Sequence, residues 1–159
     1  MSTKTGDERL LLDFTVKIPY GYPAGTCTGR AFKELRDNGK IYANICPKCG
    51  RGLAPPRPLC GRCHVRMGEW VEVGPKGTVL VFSVTEMSFW DPSTGLMRQV
   101  PYTHSIIALD GAPVAFQHFL EETNTEKLRS GMRVEAVFKP KSQRKGNILD
   151  ILHFRTIEE

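Results

Sequence analysis

The sequence lacks any long apolar segment. No run approaches the roughly 18 consecutive apolar residues that a membrane-spanning helix needs. The N-terminal stretch MSTKTGDERLLLDFTVKIPY contains acidic residues and only a short apolar run, Leu10 to Leu12, so it does not match the apolar region of a signal peptide. We therefore expect a cytoplasmic protein without a membrane contact.

Cysteine is scarce and unevenly placed. Only five cysteines occur among the 159 residues, and four of them form the pairs CPKC and CGRC, separated by ten residues. Each pair, with a glycine in or just after its turn, directs two sulfurs at one point, and two such pairs surround a metal ion with four thiolates. A disulfide framework is not expected. The sequence predicts a structural zinc site formed by Cys46, Cys49, Cys60 and Cys63.

The cysteine pattern leaves alternatives open. CGRCH alone is the attachment pattern of a c-type haem with His64 as axial ligand, but that interpretation leaves the first pair unexplained and requires export. Four-thiolate iron of the rubredoxin type has the same spacing, so iron is not excluded and a rubredoxin-like electron carrier is an alternative function. We expect His64 to be an ordinary surface residue and Cys27 to be a buried or idle thiol.

Basic residues are absent from much of the C-terminal half. The net charge of +5 and the pI near 9.0 are typical of nucleic-acid binding proteins, yet Arg98 is the only Lys or Arg between Lys76 and Lys127. A single-stranded nucleic-acid binding module would place basic residues among the strand aromatics Tyr102, Phe116 and Phe119. That function is kept as an alternative, and no nucleic acid is expected as a partner.

Three segments follow one another along the chain. Residues 1–28 are rich in Pro, Gly and Tyr and predict an N-terminal arm. Residues 29–69 contain a short helix over residues 30–38, ended by Gly39, and then the zinc ribbon. Residues 70–159 are predicted to form the third segment, a β domain.

Strand-like segments fill that third segment. EWVEV and TVLVFSVT flank the turn GPKG, YTHSIIALD meets VAFQHFL across Asp110-Gly111, and MRVEAVF and ILDILHF complete the set. EETNTEKLRSG has room for one short helix. This order predicts a mainly β protein, in which the helix and a rubredoxin-like zinc ribbon precede a five-stranded OB-fold barrel. The ribbon is too small to bury a core, so metal binding, worth roughly 10 to 16 kcal/mol in comparable sites, has to stabilise it.

The order of these motifs resembles a known family. The chain is similar over about residues 30–140 to small OB-fold proteins with a rubredoxin-like zinc ribbon, which accompany thiolases, hydroxymethylglutaryl-CoA synthases and thiolase-like aldolases. The resemblance is carried by FKELRDNGKIYANICPKCG, APPRPLCGRC, the pattern from Trp70 to Val79, PYTHSIIALDGAPV and SGMRVEAVF.

The resemblance implies a non-catalytic accessory subunit. Such proteins form a hetero-oligomer with a thiolase-fold enzyme that carries the catalytic Cys and His, and some help to hold an acyl-CoA shared with that partner. Benzoylsuccinyl-CoA thiolase is one of the enzymes that have such a small subunit. The residues agree, because Cys27 has no neighbouring histidine in the sequence, and His104 and His118 fall on strands as core or wall residues. No catalytic residue is therefore assigned to this chain.

Coenzyme A carries phosphates that Arg and Lys can bind. The candidate contacts are Arg57, Arg51, Lys139 and Lys141. Arg57 ranks first because the flanking prolines of PPRP hold it on a stiff segment, although a solvated surface is the ordinary alternative for each of them.

Apolar side chains occur in the turn-rich segment MSFWDPSTGLMRQVPY, residues 87–102. Phe89, Trp90, Leu96 and Met97 would be costly to expose to water unless they contact another molecule. We expect this segment and the N-terminal arm to dock the partner protein, with the aromatic side chains as anchors. A lid folded back on the barrel is the alternative.

Overall fold

A computed structural model describes residues 21–91 and 95–157. Residues 1–20 of the predicted N-terminal arm lie outside the described residues, and residues 26–28, also predicted as part of the arm, belong to the first helix. Helix α1 spans Thr26–Asn38 and ends at Gly39, which adopts a left-handed conformation with a φ of 67°. Its backbone N–H donates to the Leu35 carbonyl, and the N–H of Lys40 donates to the Glu34 carbonyl, so the predicted glycine cap is confirmed.

The helix begins four residues before the predicted start. Its first turn contains TCTG, which is a weak helix former. A tertiary contact supports this turn, because the Thr28 hydroxyl donates to the Pro56 carbonyl at 3.0 Å. Packing against the ribbon therefore extends the helix beyond the range that its own residues favour.

A three-stranded antiparallel sheet forms the base of the ribbon. It consists of β1 (Ile41–Ile45), β2 (Gly52–Leu53) and β3 (Trp70–Val73), in the order β2-β1-β3. The predicted strand EWVEV corresponds to β3, which pairs with β1 in this sheet and not with a strand of the barrel. Strand periodicity identified this segment as a strand but carried no information about its pairing partner.

The strands that follow are β4 (Lys76–Thr85), β5 (Trp90–Asp91), β6 (Leu96–Met97), β7 (Tyr102–Leu109), β8 (Val114–Leu120), β9 (Arg133–Phe138) and β10 (Ile151–Thr156). Five of them form a closed barrel, as predicted, and neighbouring strands in it follow the order β10-β8-β7-β4-β9. A separate hairpin, β5 with β6, lies between β4 and β7. Strands β8 and β10 are parallel and share a single residue pair, Phe154 with Leu120.

The barrel encloses the main hydrophobic core. Burial alternates strictly along β7, so that every second side chain points inward. Phe116, Ile107, Val134 and Phe154 are at most 2% exposed. Buried Asp150 orders the crossing into β10, because its carboxylate accepts the backbone N–H groups of residues 145, 146 and 147.

The short helix suggested for residues 121–131 is absent from this described part of the chain, where residues 125–127 form a turn. The Glu122 carboxylate accepts the backbone N–H groups of Thr123 and Asn124, and the Asn124 side chain accepts that of Glu126. These side-chain acceptors compete with helical carbonyls and stabilise the turn. No helix among the described residues is long and apolar enough to cross a membrane.

Candidate metal centre and adjoining surfaces

The first cysteine loop follows directly from β1. The Cys46 N–H donates to the Arg51 carbonyl, and the Gly50 N–H donates to the Cys46 carbonyl, both at 2.9 Å. Gly50 has a φ of 70°, a conformation that glycine adopts without strain. The loop therefore reverses within four residues and brings Cys46 and Cys49 together.

The second loop repeats this geometry. The Cys60 N–H donates to the Val65 carbonyl at 3.0 Å, and the His64 N–H donates to the Cys60 carbonyl at 2.9 Å. His64 has a φ of 55° and takes the place that Gly50 has in the first loop. It is exposed, in line with the expected surface residue, and its backbone closes the turn.

The two loops bring four sulfurs together. All four Sγ atoms lie within 4.8 Å of one another, and those of Cys49 and Cys60 are 3.9 Å apart. A tetrahedral zinc site with Zn–S bonds of about 2.3 Å requires sulfurs separated by about 3.8 Å. The cluster thus fits a four-coordinate metal ion, and Cys46, Cys49, Cys60 and Cys63 are the residues that would hold it.

Backbone donors favour thiolates in this cluster. The N–H groups of Cys63 and Arg62 lower the pKa of the Cys60 thiol to about 6, and the N–H of Arg51 lowers the pKa of Cys49. A hydrogen bond between the Cys63 thiol and the Cys49 sulfur raises the pKa of Cys63 to about 12, and burial is the second cause. A bound cation would favour the ionised form of these thiols, because thiolate is the form that binds metal.

A groove of about 580 Å³ lies between the ribbon and the barrel. Arg57 is the only charged residue among its described lining residues. Asn44, which is 1% exposed, fixes the backbone of Arg57: its side-chain N–H donates to the Arg57 carbonyl at 2.6 Å, and its Oδ1 accepts the Arg57 N–H at 3.3 Å. Asn44 was not predicted from the sequence. The feature that could have indicated it is the single amide side chain within the otherwise mainly apolar strand IYANI.

The other predicted phosphate contacts are dispersed. Arg51 is exposed beside the first cysteine loop, and its backbone carbonyl accepts the hydrogen bond from the Cys46 N–H. Lys141 lies in a short 3-10 helix after β9. A hydrogen bond from Arg36 lowers the pKa of Asp37 on α1, and the charge of Lys141 lowers it further by a smaller amount. The Lys139 carbonyl accepts a hydrogen bond from Arg144 at 2.8 Å. Arg57 alone of the four lines the groove.

The β5–β6 hairpin displays apolar side chains on the surface. Met87, Trp90, Leu96 and Met97 are 77%, 62%, 67% and 55% exposed, respectively. Its base is held by an ion pair between Arg98 and Asp91 at 3.0 Å. Of the side chains singled out in the sequence, Trp90, Leu96 and Met97 project into solvent, whereas Phe89 packs against Tyr102 of the barrel. The lid alternative therefore applies to Phe89 and not to the other three.

Comparison with known proteins gives a match to one family model. Residues 70–139 match the family described as ChsH2, C-terminal OB-fold domain. The match extends from β3 to β9 and ends before β10.

Solved structures extend the likeness beyond residues 70–139. One, described as an Ltp2-ChsH2(DUF35) aldolase, has a TM-score of 0.57 and 20% identity, covering 85% of this chain and 98% of that chain. A DUF35-family protein of unknown function from Sulfolobus solfataricus has a TM-score of 0.52 and 18% identity, covering 83% and 84%. These likenesses show a shared fold. No curated protein sequence matches the chain significantly.

Aromatic side chains on the barrel are covered by one arginine. The Arg98 guanidinium lies 4.0 Å from the Phe119 ring centroid and 4.7 Å from that of Tyr102. Phe89 packs edge-on against Tyr102. A base that stacked on these rings would have to displace Arg98, so the arrangement disfavours the single-stranded nucleic-acid alternative.

The histidines and the fifth cysteine occupy packing positions. His118 is 4% exposed, stacks on Phe116 and lies 3.3 Å from the Ile148 carbonyl through Nε2. His104 is half-buried and packs against Phe119. Burial raises the pKa of Cys27, whereas an activated nucleophile has a lowered pKa.

Proposed function

We propose that this chain is a non-catalytic accessory subunit of a thiolase-type acyl-CoA enzyme, with which it forms a hetero-oligomer. One observation carries the proposal: the fold extends over 98% of the chain in the Ltp2-ChsH2(DUF35) aldolase, a protein whose name links this architecture to an aldolase. The match of residues 70–139 to the ChsH2 OB-fold domain supports the same class. The partner supplies the catalytic Cys and His.

The β5–β6 hairpin docks the partner enzyme. Trp90 and Leu96 are exposed on a short hairpin that the Arg98–Asp91 ion pair holds in shape, so little conformational entropy is lost when a partner covers them. An anchor of this kind can contribute 2 kcal/mol or more to binding, on the order of a 30-fold change in Kd. Trp90→Ala should weaken association by about this factor, whereas Leu80→Ala, at a 46% exposed position outside both the hairpin and the N-terminal arm, serves as the matched control.

The phosphates of the acyl-CoA shared with the partner bind basic residues of this chain. Arg57 is the preferred phosphate contact because Asn44 fixes its backbone at the groove, and Arg51, Lys139 and Lys141 are further contacts. Arg57→Gln should raise the Kd of the complex for CoA without weakening association of the two proteins. Arg62→Gln, an exposed arginine on the second cysteine loop, is the control.

The reaction of the complex is thiolytic or aldol-type cleavage or formation of a carbon–carbon bond, and the small subunit of benzoylsuccinyl-CoA thiolase is one candidate. Zinc in the four-cysteine site has a structural role in this proposal. Elemental analysis and the visible spectrum test the metal, because a ferric tetrathiolate absorbs visible light and zinc does not.

Purification of the tagged chain from its native cells at mild salt, followed by mass spectrometry, tests the proposal. A stoichiometric thiolase-fold protein is the expected result, and the complex should then act on acyl-CoA while the separate chain does not. Nucleic acid in place of a protein partner would contradict the proposal. A redox partner with an iron-loaded site would also contradict it.

A further inference from the structure

One wall of the groove between ribbon and barrel belongs to the segment that separates the two cysteine pairs. Residues 50–59, which we call the wall loop, lie between Cys49 and Cys60. The wall loop supplies Leu53, Ala54, Pro55 and Arg57 to the groove. The barrel supplies the opposite wall, with Ile106, Ala115, Phe116 and Gln117. The groove therefore depends on the position of the wall loop against the barrel.

The wall loop buries little of its own surface. Gly52 and Pro56 are its buried residues, and its other residues are half-buried or exposed. Hydrogen bonds attach it at separate points: the Gly52 N–H donates to the Pro113 carbonyl at 3.1 Å, and Asn44 holds the backbone of Arg57. Because a ten-residue segment gains conformational entropy when it detaches, such contacts fix it only if its two ends are held together.

The two ends of the wall loop meet at the four-cysteine cluster. Cys49 precedes the loop and Cys60 follows it, and their Sγ atoms are 3.9 Å apart. A metal ion bound to both sulfurs closes the loop, which removes conformational entropy that the open loop would have. In the metal-free chain the contact between two thiols is a weak hydrogen bond. The closure of the wall loop therefore depends on metal occupancy.

We propose that Cys49 and Cys60, joined through the metal ion, hold the wall loop against the barrel, so that metal occupancy regulates acyl-CoA binding in the groove. This inference rests on the proposed function, in which Arg57 binds a phosphate of the acyl-CoA. The metal-free chain keeps its barrel, which has its own apolar core, but loses the position of Arg57. Because coupling between two binding sites is reciprocal, bound acyl-CoA also strengthens metal binding by the same factor.

Amide hydrogen exchange of the full chain tests the closure of the wall loop. It is measured on the zinc-loaded chain and after removal of zinc by a chelator under reducing conditions. The Gly52 and Arg57 amides donate to Pro113 and Asn44, so both should exchange at least about tenfold faster without zinc. The amides of β7, which is paired on both sides, should keep their protection. Unchanged exchange of Gly52 and Arg57 after complete zinc removal would overturn the inference.

Titration of coenzyme A, into the chain and into its complex with the co-purified partner, tests the regulation. The zinc-loaded form should bind CoA at least about tenfold more tightly than the metal-free form. Saturating CoA should raise the affinity for zinc by the same factor in a chelator competition. Equal Kd values for CoA in the two forms would overturn the inference. A zinc-loaded complex that does not bind CoA would instead contradict the proposed phosphate contact, and the exchange of Gly52 and Arg57 would then decide the closure alone.

Gly52→Ala separates the position of the wall loop from metal content. A Cβ atom at Gly52 would collide with the Val114 side chain and lie 3.1 Å from the Pro113 carbonyl, so the loop must move away from the barrel while the four cysteines stay. We expect a full metal equivalent and a Kd for CoA raised at least about fivefold. Gly61→Ala, where an added Cβ meets open space among the described residues, is the matched control and should change neither. A wild-type Kd in fully loaded Gly52→Ala would overturn the role of the wall loop.

Discussion

The ribbon and the barrel reach a fixed structure by different means. Between residues 46 and 69 the fully buried side chains are those of Cys46, Pro56 and Cys60, whereas the barrel buries a continuous cluster that includes Ile107, Phe116 and Phe154. A few cysteines with the right spacing therefore determine the ribbon, and many apolar positions share the stabilisation of the barrel. Substitution of one metal ligand should therefore unfold the ribbon completely. Substitution of one core residue should lower the stability of the barrel only in part.

Removal of one metal ligand should have the largest effect. Cys46→Ser is expected to lose the metal and unfold the ribbon, because comparable sites contribute roughly 10 to 16 kcal/mol of apparent binding free energy. Metal content and exchange of the Gly50 and His64 amides, which bond the Cys46 and Cys60 carbonyls, report on the ribbon. The amides of barrel strand β7 should remain protected.

Cys27→Ser is the matched control, because Cys27 lies outside the four-sulfur cluster and should be replaceable without loss of metal. A folded Cys46→Ser variant with one full metal equivalent would count against the ligand assignment. Simultaneous unfolding of ribbon and barrel would instead show that the two regions depend on one another more closely than their cores suggest.

A cavity in the barrel should have the next largest effect. Phe154 is fully buried and packs against Phe116 and His118, so Phe154→Ala should lower the free energy of unfolding by about 3 to 5 kcal/mol. Urea denaturation measures this loss, and metal content should stay unchanged. Leu152→Ala, at a 44% exposed position of the same strand, is the control. A comparable loss for both variants would argue against a core centred on Phe154.

The sequence predicted the parts of each region that depend on local chemistry. The spacing of the four cysteines predicted the cluster, Gly39 predicted the end of α1, and alternating apolar residues predicted the barrel strands. The pairing of Trp70–Val73 with β1 was missed because periodicity does not specify a partner strand. The domain boundary at residues 69 and 70 and the phosphate contacts remain predictions.

The surface features could not be derived from local patterns. Exposure of Trp90 depends on where the β5–β6 hairpin lies relative to the barrel, and the groove exists because ribbon and barrel meet side by side. Asn44 can hold the backbone of Arg57 only after the chain folds back, because the two residues are 13 positions apart in the sequence. Such contacts between distant residues carry no periodic signal in the sequence.

The barrel core should also give stability a pH dependence through His118. Burial lowers the pKa of His118 below its ordinary value of 6.5. The unfolded chain therefore binds a proton at a higher pH than the folded chain, and stability should fall as the pH drops through 6.5 toward the lower folded value. His118→Phe should flatten the slope of unfolding free energy between about pH 7 and pH 5. Parallel profiles for wild type and His118→Phe would contradict the assignment.

The smallest expected effect distinguishes the two cysteine loops. Gly50 and His64 occupy equivalent positions with φ of 70° and 55°, but only the glycine adopts this conformation without strain. His64→Gly should therefore leave metal binding intact and stabilise the holoprotein by up to about 1 kcal/mol, whereas Gly50→Ala should destabilise it by about 1 kcal/mol. Thermal unfolding of the metal-loaded chains measures both changes. A loss of metal in His64→Gly would mean that the imidazole contributes to the site beyond the turn it closes, and the equivalence of the two loops would then be limited to their backbones.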